Sequence, residues 1–172
     1  MAVVMEGVRL LLREAEHSEM QEFADVELEE ENAPYLVADD LAENERLFAD
    51  EDALHLIVAE RATGRTVGYL LLAGLKSPHD ELEWRHIIVT DKGRGYGKET
   101  MELLARWSFE VHGCHRAWLD CKDYNARALH VYEGCGMVRE ALLRDTLKVN
   151  GKYENLVILS MLEAEYRARY DG

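Results

Sequence analysis

Basic charge is the first thing that this sequence has little of. Its 172 residues include 20 Lys and Arg against 34 Asp and Glu, which gives a formal net charge of -14. Such an excess of negative charge repels the phosphates of nucleic acids and anionic lipid surfaces. We therefore expect neither a nucleic acid nor a membrane as a partner.

Cysteine, proline and long apolar runs are also scarce. The three cysteines are odd in number and have no C-x-x-C spacing, which favours reduced thiols in a cytoplasmic protein. His112, Cys114 and His115 match no standard zinc spacing, so we expect no metal site. No apolar run approaches the roughly 18 residues of a membrane span. With only two prolines and no low-complexity tract, residues 1–172 are expected to form a single domain.

The acidic residues are concentrated near the N-terminus. Residues 14–45 contain thirteen Asp and Glu and no Lys or Arg. Such a segment is often a solvated helix face, and that interpretation stays open. The alternative is that the segment borders a binding cleft, where its negative potential would attract a cationic ligand.

The hydrophobic pattern predicts an α/β fold, with a mixed sheet and helices on its faces. The predicted order is β-α-α-β-β-β-α-β-α-β-β, followed by a short tail over 163–170. Strands are predicted at residues 7–13, 53–60, 66–75, 84–89, 117–121, 137–147 and 153–162. Helices are predicted at residues 17–30, 39–49, 98–112 and 125–133. Asn150-Gly151 between the last two strands predicts a tight hairpin.

The most informative stretch runs from Glu83 to Met101 and is typical of a strand, a glycine-rich turn and a helix. Gly93, Gly95 and Gly97 alternate through the turn, and a helical pattern follows. Such a turn binds anions, because free N–H groups and the helix dipole point at the same spot. Three basic residues add positive charge there: Lys92, Arg94 and Lys98. The stretch therefore predicts a pocket for a phosphorylated ligand, with a pyrophosphate as the best fit.

Two common nucleotide motifs do not fit this loop. A dinucleotide fingerprint requires G-x-G-x-x-G near the start of a βαβ unit, but G-x-G-x-G occurs here after about 90 residues. An NTP-binding loop requires Ser or Thr after its Gly-Lys pair, and Glu99 follows Gly97-Lys98. The remaining match is [Q/R]-x-x-G-x-[G/A], with Lys92 in the first position. This resembles the acetyl-coenzyme A loop of the GNAT superfamily of N-acetyltransferases. A glycine turn without a ligand is the alternative for the loop taken alone.

Two further segments strengthen the resemblance. Residues 125–137 resemble the GNAT signature N-x-x-A-x-x-x-Y-E-x-x-G-F, with Met137 in place of the last aromatic residue. Residues 144–153 resemble the R-D-x-x-x-x-N/D-G-x-Y/W pattern of the ribosomal-protein and polyamine acetyltransferase branch. The resemblance covers residues 5–163 and is weak before Glu81.

The resemblance implies a GNAT-type fold with acetyl-CoA as the cofactor. Its mostly antiparallel sheet would splay at the strand of residues 84–89, whose exposed backbone pairs with the pantetheine arm. The N–H of Val89 would polarise the thioester carbonyl, and Tyr132 would protonate the leaving thiolate as general acid. The implied cofactor-binding residues are Ile87, Ile88, Val89, Arg94, Gly95, Tyr96, Gly97, Lys98, Glu99, Asn125, Ala128 and Tyr132.

The acceptor amine needs a proton acceptor. A primary amine with a pKa near 10 is about 99.9% protonated at pH 7, so its deprotonation costs roughly 4 kcal/mol. Glu83 is the expected catalytic base, with Glu81 and His86 as alternatives. Strand alternation would place Glu83 and Arg85 on one face of the sheet and Trp84 and His86 on the other. A solvated strand glutamate and a core tyrosine are the plain structural alternatives for Glu83 and Tyr132.

We therefore expect direct transfer of an acetyl group from acetyl-CoA to an amine. The acceptor would be a polyamine-like small amine or the N-terminal amine of a protein, and the family suggests a homodimer. Two alternatives stay open: a module that senses acyl-CoA without turnover, and transfer of another acyl group such as succinyl.

Overall fold

A computed structural model describes residues 2–170 of the chain. Within this range eight strands form one sheet in the order β1-β2-β3-β4-β5-β6-β8-β7. The strands are β1 Val3–Glu6, β2 Leu10–Glu14, β3 Ala53–Glu60, β4 Thr66–Ala73, β5 Glu81–Val89, β6 Arg116–Lys122, β7 Val138–Val149 and β8 Lys152–Leu162. The α-helices are α1 Met20–Leu28, α2 Leu41–Phe48, α3 Tyr96–Arg106, α4 Ala126–Gly134 and α5 Glu163–Tyr170. The predicted α/β class with a mixed sheet is confirmed.

Helices cover both faces of this sheet. A large core of aliphatic and aromatic side chains includes residues of α3, α4 and α5 on one face. A smaller cluster around Met20 and Phe23 packs α1 against the other face. None of the helices in the described part of the chain is both long and apolar enough to cross a bilayer.

The prediction is wrong at both ends of the chain. Residues 3–6, which the prediction left unassigned, form the edge strand β1 and pair with β2. The predicted tail over 163–170 is the helix α5. Tyr166 of α5 is fully buried and stacks on Phe109, and Arg169 donates a hydrogen bond to the carbonyl of Gly134. The isolated sequence of this helix is too polar to reveal such tertiary contacts.

The sheet opens between β5 and β6, as the family resemblance predicts. These strands form the parallel pair of an otherwise antiparallel sheet, and their register runs only from Glu81↔Arg116 to Glu83↔Trp118. Beyond that point β5 stays paired with β4, and β6 stays paired with β8. A gap therefore opens between the two strands towards their C-terminal ends.

A β-bulge changes the direction of the side chains along β5. Leu71 of β4 is opposite His86, but the next residue, Leu72, is opposite Trp84, so Arg85 is an extra residue. Such a bulge locally breaks the alternation of a strand and redirects its side chains. The bulge lies where β5 leaves β6 and begins to line the gap.

The bulge overturns the predicted alternation. Trp84 and Ile87 both pack in the larger core. Arg85 and His86 both approach Asp39 on the other face, with nitrogen-to-Oδ2 distances of 3.5 and 3.9 Å. The prediction that His86 shares a face with Trp84 is therefore wrong, because alternation assumes an unbroken ladder.

A buried histidine on β3 should make the stability of the fold depend on pH. The Nε2 of His55 lies 3.0 Å from Oδ1 of Asn44, and burial lowers the pKa of His55 to about 4. In the unfolded chain His55 has an ordinary pKa near 6.5. Between about pH 6.5 and pH 4 the unfolded chain therefore takes up a proton that the folded chain does not. The folded-state pKa is depressed, so this contribution to stability is present above pH 6.5 and is lost as the pH falls towards 4.

We expect His55→Gln to remove this contribution, since glutamine can still donate to Asn44. Urea unfolding measures the contribution as the difference between the free energies of unfolding at pH 7 and at pH 4.5. That difference should be about 2–3 kcal/mol smaller in the variant than in the wild type. Equal losses in the two proteins would show that His55 does not titrate during unfolding.

Candidate active site

The gap between β5 and β6 is part of a cavity of about 1240 Å³. This volume exceeds the usual range for a drug-sized ligand and suits a long ligand with a second molecule beside it. Four segments provide most of the lining: residues 30–37, β5 from Glu83 onward, the glycine loop with the start of α3, and the end of β6 with α4. Leu147 of β7 and Leu156 of β8 complete it. The motifs predicted as functional therefore meet around one space.

The glycine loop offers unused backbone donors. Gly93 and Gly95 have φ values of 85° and 76°, in the left-handed region that favours glycine. Gly95 immediately precedes α3. Among residues 2–170, no group accepts a hydrogen bond from the amides of residues 93–98. These amides and the positive end of the α3 dipole form an anion site.

An arginine from the turn between β1 and β2 holds this loop. Its guanidinium donates to the carbonyls of Arg94 and Gly95, at 2.8 and 3.3 Å, and to Oε2 of Glu99 at 2.8 Å. This residue, Arg9, also donates its backbone amide to Glu99 Oε1 at 2.7 Å. Because these two carbonyls accept hydrogen bonds from Arg9, the loop is held in place while its amides stay available to a ligand. Sequence reasoning missed Arg9, because it lies about 90 residues from its partners.

The same contacts place two predicted cofactor residues away from the cavity. Arg94 and Glu99 are not among the lining residues. The side chain of Glu99 turns towards Arg9, and its amide donates to the carbonyl of Gly95 at 3.4 Å within the first turn of α3. The other ten predicted cofactor residues all line the cavity.

The open edge of β5 also presents backbone donors. The amide of Thr90 donates to the carbonyl of Val67 on β4 at 2.9 Å. Because amides alternate between the two edges of a strand, Ile88 also faces β4, and the amides of Ile87 and Val89 face the gap. The pairing with β6 has already ended at Glu83, so β6 does not use these two amides.

Helix α4 forms the opposite wall. Asn125 caps it, and its Oδ1 accepts a hydrogen bond from the amide of Ala128 at 3.2 Å. The hydroxyl of Tyr132 lines the cavity without a hydrogen-bond partner in the described chain. Burial raises the pKa of Tyr132, and the neighbouring Cys121 and Asp120 raise it further. The phenol therefore stays protonated at neutral pH.

Two carboxylates, one on β5 and one on β6, line the same cavity as this tyrosine. Glu83 of β5 is half-buried, and burial raises its pKa, partly offset by Arg85. Desolvation also raises the pKa of Asp120 on β6, partly offset by His86 and Arg85, and the charge of Asp120 raises the pKa of Glu83. The alternative base Glu81 does not line the cavity. Sequence reasoning did not identify Asp120 as a site residue, because its position close to Glu83 depends on β5 and β6 being neighbours in the sheet.

Part of the acidic N-terminal segment borders the cavity. Lys92 of the glycine loop forms an ion pair with Glu31 at 3.0 Å. On the other wall, the hydroxyl of Tyr124 donates to the carbonyl of Pro34 at 2.5 Å. Residues 30–37 thus connect the two walls, so the acidic segment as a whole is not a purely solvated face.

The chain resembles known acetyltransferases in its sequence. Residues 12–137 match the acetyltransferase (GNAT) family. The chain is 27% identical over 137 residues to a spermidine N(1)-acetyltransferase of Vibrio cholerae serotype O1, covering 79% of each chain. It is 24% identical over 108 residues to that of Escherichia coli K12, covering 62% of this chain and 58% of the relative.

Solved structures show the same fold at lower identity. The spermidine N-acetyltransferase from Vibrio cholerae in complex with CoA and spermine has a TM-score of 0.81 and 22% identity, over 92% of this chain and 98% of that chain. A dodecameric structure of the enzyme from the same species has a TM-score of 0.79 and 22% identity, over 94% and 98%.

Proposed function

The chain belongs to the acetyltransferase (GNAT) family and is an acetyl-CoA-dependent N-acetyltransferase, and from this premise we propose that its acceptor is a polyamine-like small amine. The observation that carries the proposal is the pair of carboxylates, Glu83 and Asp120, in the cavity that also holds the free amides of the glycine loop. The spermidine acetyltransferases among its relatives agree with this acceptor class.

The backbone holds the donor. Amides of residues 93–98 bind the pyrophosphate, and the open-edge amides of Ile87 and Val89 bind the pantetheine arm and the thioester carbonyl. Asn125 has a side-chain amide left to donate to the arm, since only its Oδ1 is used in the cap. Acetyl-CoA supplies an activated acetyl thioester to this site.

Side chains handle the protons. Glu83 attracts the ammonium of the acceptor and accepts a proton from it, and its raised pKa makes it a stronger base than an exposed glutamate. The hydroxyl of Tyr132 donates to the sulfur as the carbon–sulfur bond breaks. Transfer is direct: burial raises the pKa of the lining thiol Cys121 to about 12, so little nucleophilic thiolate exists at neutral pH.

Negative charge selects the acceptor. Besides Glu83 and Asp120, the cavity is bordered by Glu30 from the acidic segment, whereas the neighbouring Glu31 is already paired with Lys92. Several carboxylates spread along one cavity attract a molecule with several ammonium groups more strongly than a single amine. The same groups give no contacts specific for a peptide backbone, so a polyamine fits better than a protein N-terminus.

Release of free thiol from acetyl-CoA with a panel of amines tests the proposal. The panel contains spermidine, spermine, Lys-rich and Arg-rich peptides, and short peptides with free N-termini. We expect the polyamines to have the highest kcat/KM. A peptide with a higher kcat/KM would contradict the proposed acceptor and leave the acetyl transfer intact. Self-association as a homodimer also stays a prediction, which sedimentation at assay concentration tests.

Arg9→Ala should weaken the binding of acetyl-CoA. The variant loses hydrogen bonds to two loop carbonyls, and about 1.4 kcal/mol of lost preorganisation corresponds to a tenfold weaker affinity. We therefore expect KM for acetyl-CoA to rise about tenfold, with kcat within about twofold. Steady-state kinetics at saturating spermidine measure both constants.

Arg61→Ala is the matched control for this variant. Arg61 is similarly exposed and donates to the carbonyl of Gly7 in the same turn, but it does not contact the glycine loop. KM for acetyl-CoA should stay at the wild-type value. An equal rise in both variants would assign the effect to the turn as a whole and not to the contacts of Arg9.

A further inference from the structure

A histidine in the wall of the cavity is held by a buried carboxylate. The Nδ1 of His86 lies 3.0 Å from Oε1 of Glu27, which is in α1 and is 1% exposed. The other oxygen of Glu27 accepts the amide of Asp39 at 2.6 Å. Both oxygens of this buried carboxylate are therefore satisfied, and its position is fixed from two sides.

This contact determines which nitrogen of His86 can accept a proton. A carboxylate only accepts hydrogen bonds, so Nδ1 carries the hydrogen and Nε2 carries the lone pair in the neutral ring. No residue in the described range 2–170 makes a hydrogen bond to Nε2, and His86 lines the cavity. A base with a carboxylate behind it therefore lines the cavity that also contains the free amides of the glycine loop.

Proton transfer fits the cluster better than a metal ion. Glu27, Asp39 and His86 have ligand atoms within 4.8 Å of one another. However, both oxygens of Glu27 already accept hydrogen bonds, and the guanidinium of Arg85 lies 3.5 Å from Oδ2 of Asp39. A divalent cation would have to displace these donors and stand beside a positive charge.

We propose that His86 is a catalytic residue of the acetyl transfer and that Glu27 is its positioning residue. The proposal rests on the proposed transfer to an amine. The acceptor nitrogen enters as an ammonium and loses two protons while its bond to the acetyl carbon forms and the carbon–sulfur bond breaks. Glu83 accepts one proton and His86 Nε2 accepts the other. Tyr132 gives a proton to the sulfur and regains one of these two protons. The other proton is released to solvent.

His86 lies among several charged side chains. Charged or titratable groups face it from every neighbouring element: Glu27 of α1, Asp39 before α2, His55 of β3, Glu83 and Arg85 of β5, and Asp120 of β6. Four of these are carboxylates and one is a guanidinium. An imidazole accepts a proton more readily than a carboxylate near neutral pH.

The test measures kcat and KM of the full chain with spermidine and acetyl-CoA between pH 5.5 and 9. His86→Gln keeps a donor for Glu27 but has no base. We expect kcat to fall at least about tenfold, with KM for acetyl-CoA within about twofold. Glu27→Gln still accepts from Nδ1 but lacks the charge, so kcat should fall less than in His86→Gln, with KM for acetyl-CoA again within about twofold.

His55→Gln is the matched control. It is the same substitution of a buried histidine on the same face of the sheet, and His55 does not line the cavity. Its kcat and pH profile should match those of the wild type. Wild-type kcat and an unchanged profile in His86→Gln would overturn the proposal, while polyamine acetylation by the wild type would still support the proposed function.

A second measurement does not depend on activity or on a variant that folds. ¹⁵N spectra of ring-labelled wild-type protein at pH 8 report which nitrogen of His86 carries the hydrogen. Protonated Nδ1 with unprotonated Nε2 is the expected result. The reverse tautomer would overturn the proposal, because Nε2 would then have no lone pair for the acceptor proton.

Discussion

Tyr132→Phe is expected to lower kcat by about 10²- to 10³-fold, with the affinity for CoA within about twofold. The substitution removes only a hydroxyl that has no hydrogen-bond partner among residues 2–170, so neither packing nor any internal bond is lost. Without this donor the sulfur leaves as an unassisted thiolate. The raised pKa of Tyr132 keeps the hydroxyl protonated over the whole working range of pH.

Thiol release at saturating substrates and calorimetric titration of CoA measure the two quantities for Tyr132→Phe. Tyr153→Phe is a suitable control, since Tyr153 is an exposed residue of β8 outside the cavity and should leave both unchanged. Parallel losses of kcat and CoA affinity would assign Tyr132 to binding. A wild-type kcat would remove it from the chemistry.

Glu83→Gln is expected to lower kcat/KM for the acceptor about 10²-fold at pH 7. The amide keeps the size of the side chain but neither attracts an ammonium nor accepts its proton. Burial raises the pKa of Glu83, and the base acts only when deprotonated, so the wild-type rate should decline as the pH falls through this raised value. The variant should lack this part of the acid limb. Its deficit should narrow above pH 9, where more acceptor is already a free amine.

Glu81→Gln separates this role from a general loss of negative charge. Glu81 is on the same strand, but it does not line the cavity and lies 4.0 Å from Arg116. We expect its kcat/KM and pH profile to stay within about twofold of the wild type. A larger loss of kcat/KM in Glu81→Gln than in Glu83→Gln would contradict the assignment and make Glu81 the base.

Local features of the fold could be predicted because their signals lie within a few residues. Asn150 and Gly151 have φ values of 50° and 79°, as the Asn-Gly hairpin signal requires. Gly113, with a φ of 80°, follows the helical stretch after α3, where a helix stop was predicted. The strand, loop and helix of residues 81–106 also follow from local periodicity and glycine placement.

The sequence by itself thus determined the family, the cofactor loop and the α4 motif, because each is a contiguous pattern. Only the tertiary structure shows four features: the bulge at Arg85, the hydrogen bonds from Arg9 to the glycine loop, the proximity of Asp120 to Glu83, and the contact of Glu27 with His86. Each of these depends on the register of a partner strand or on a contact across about 60 to 90 residues. The sequence around a side chain does not indicate a partner so distant along the chain. The orientations of the side chains on β5 and the identity of the proton acceptors are therefore known only from the assembled sheet.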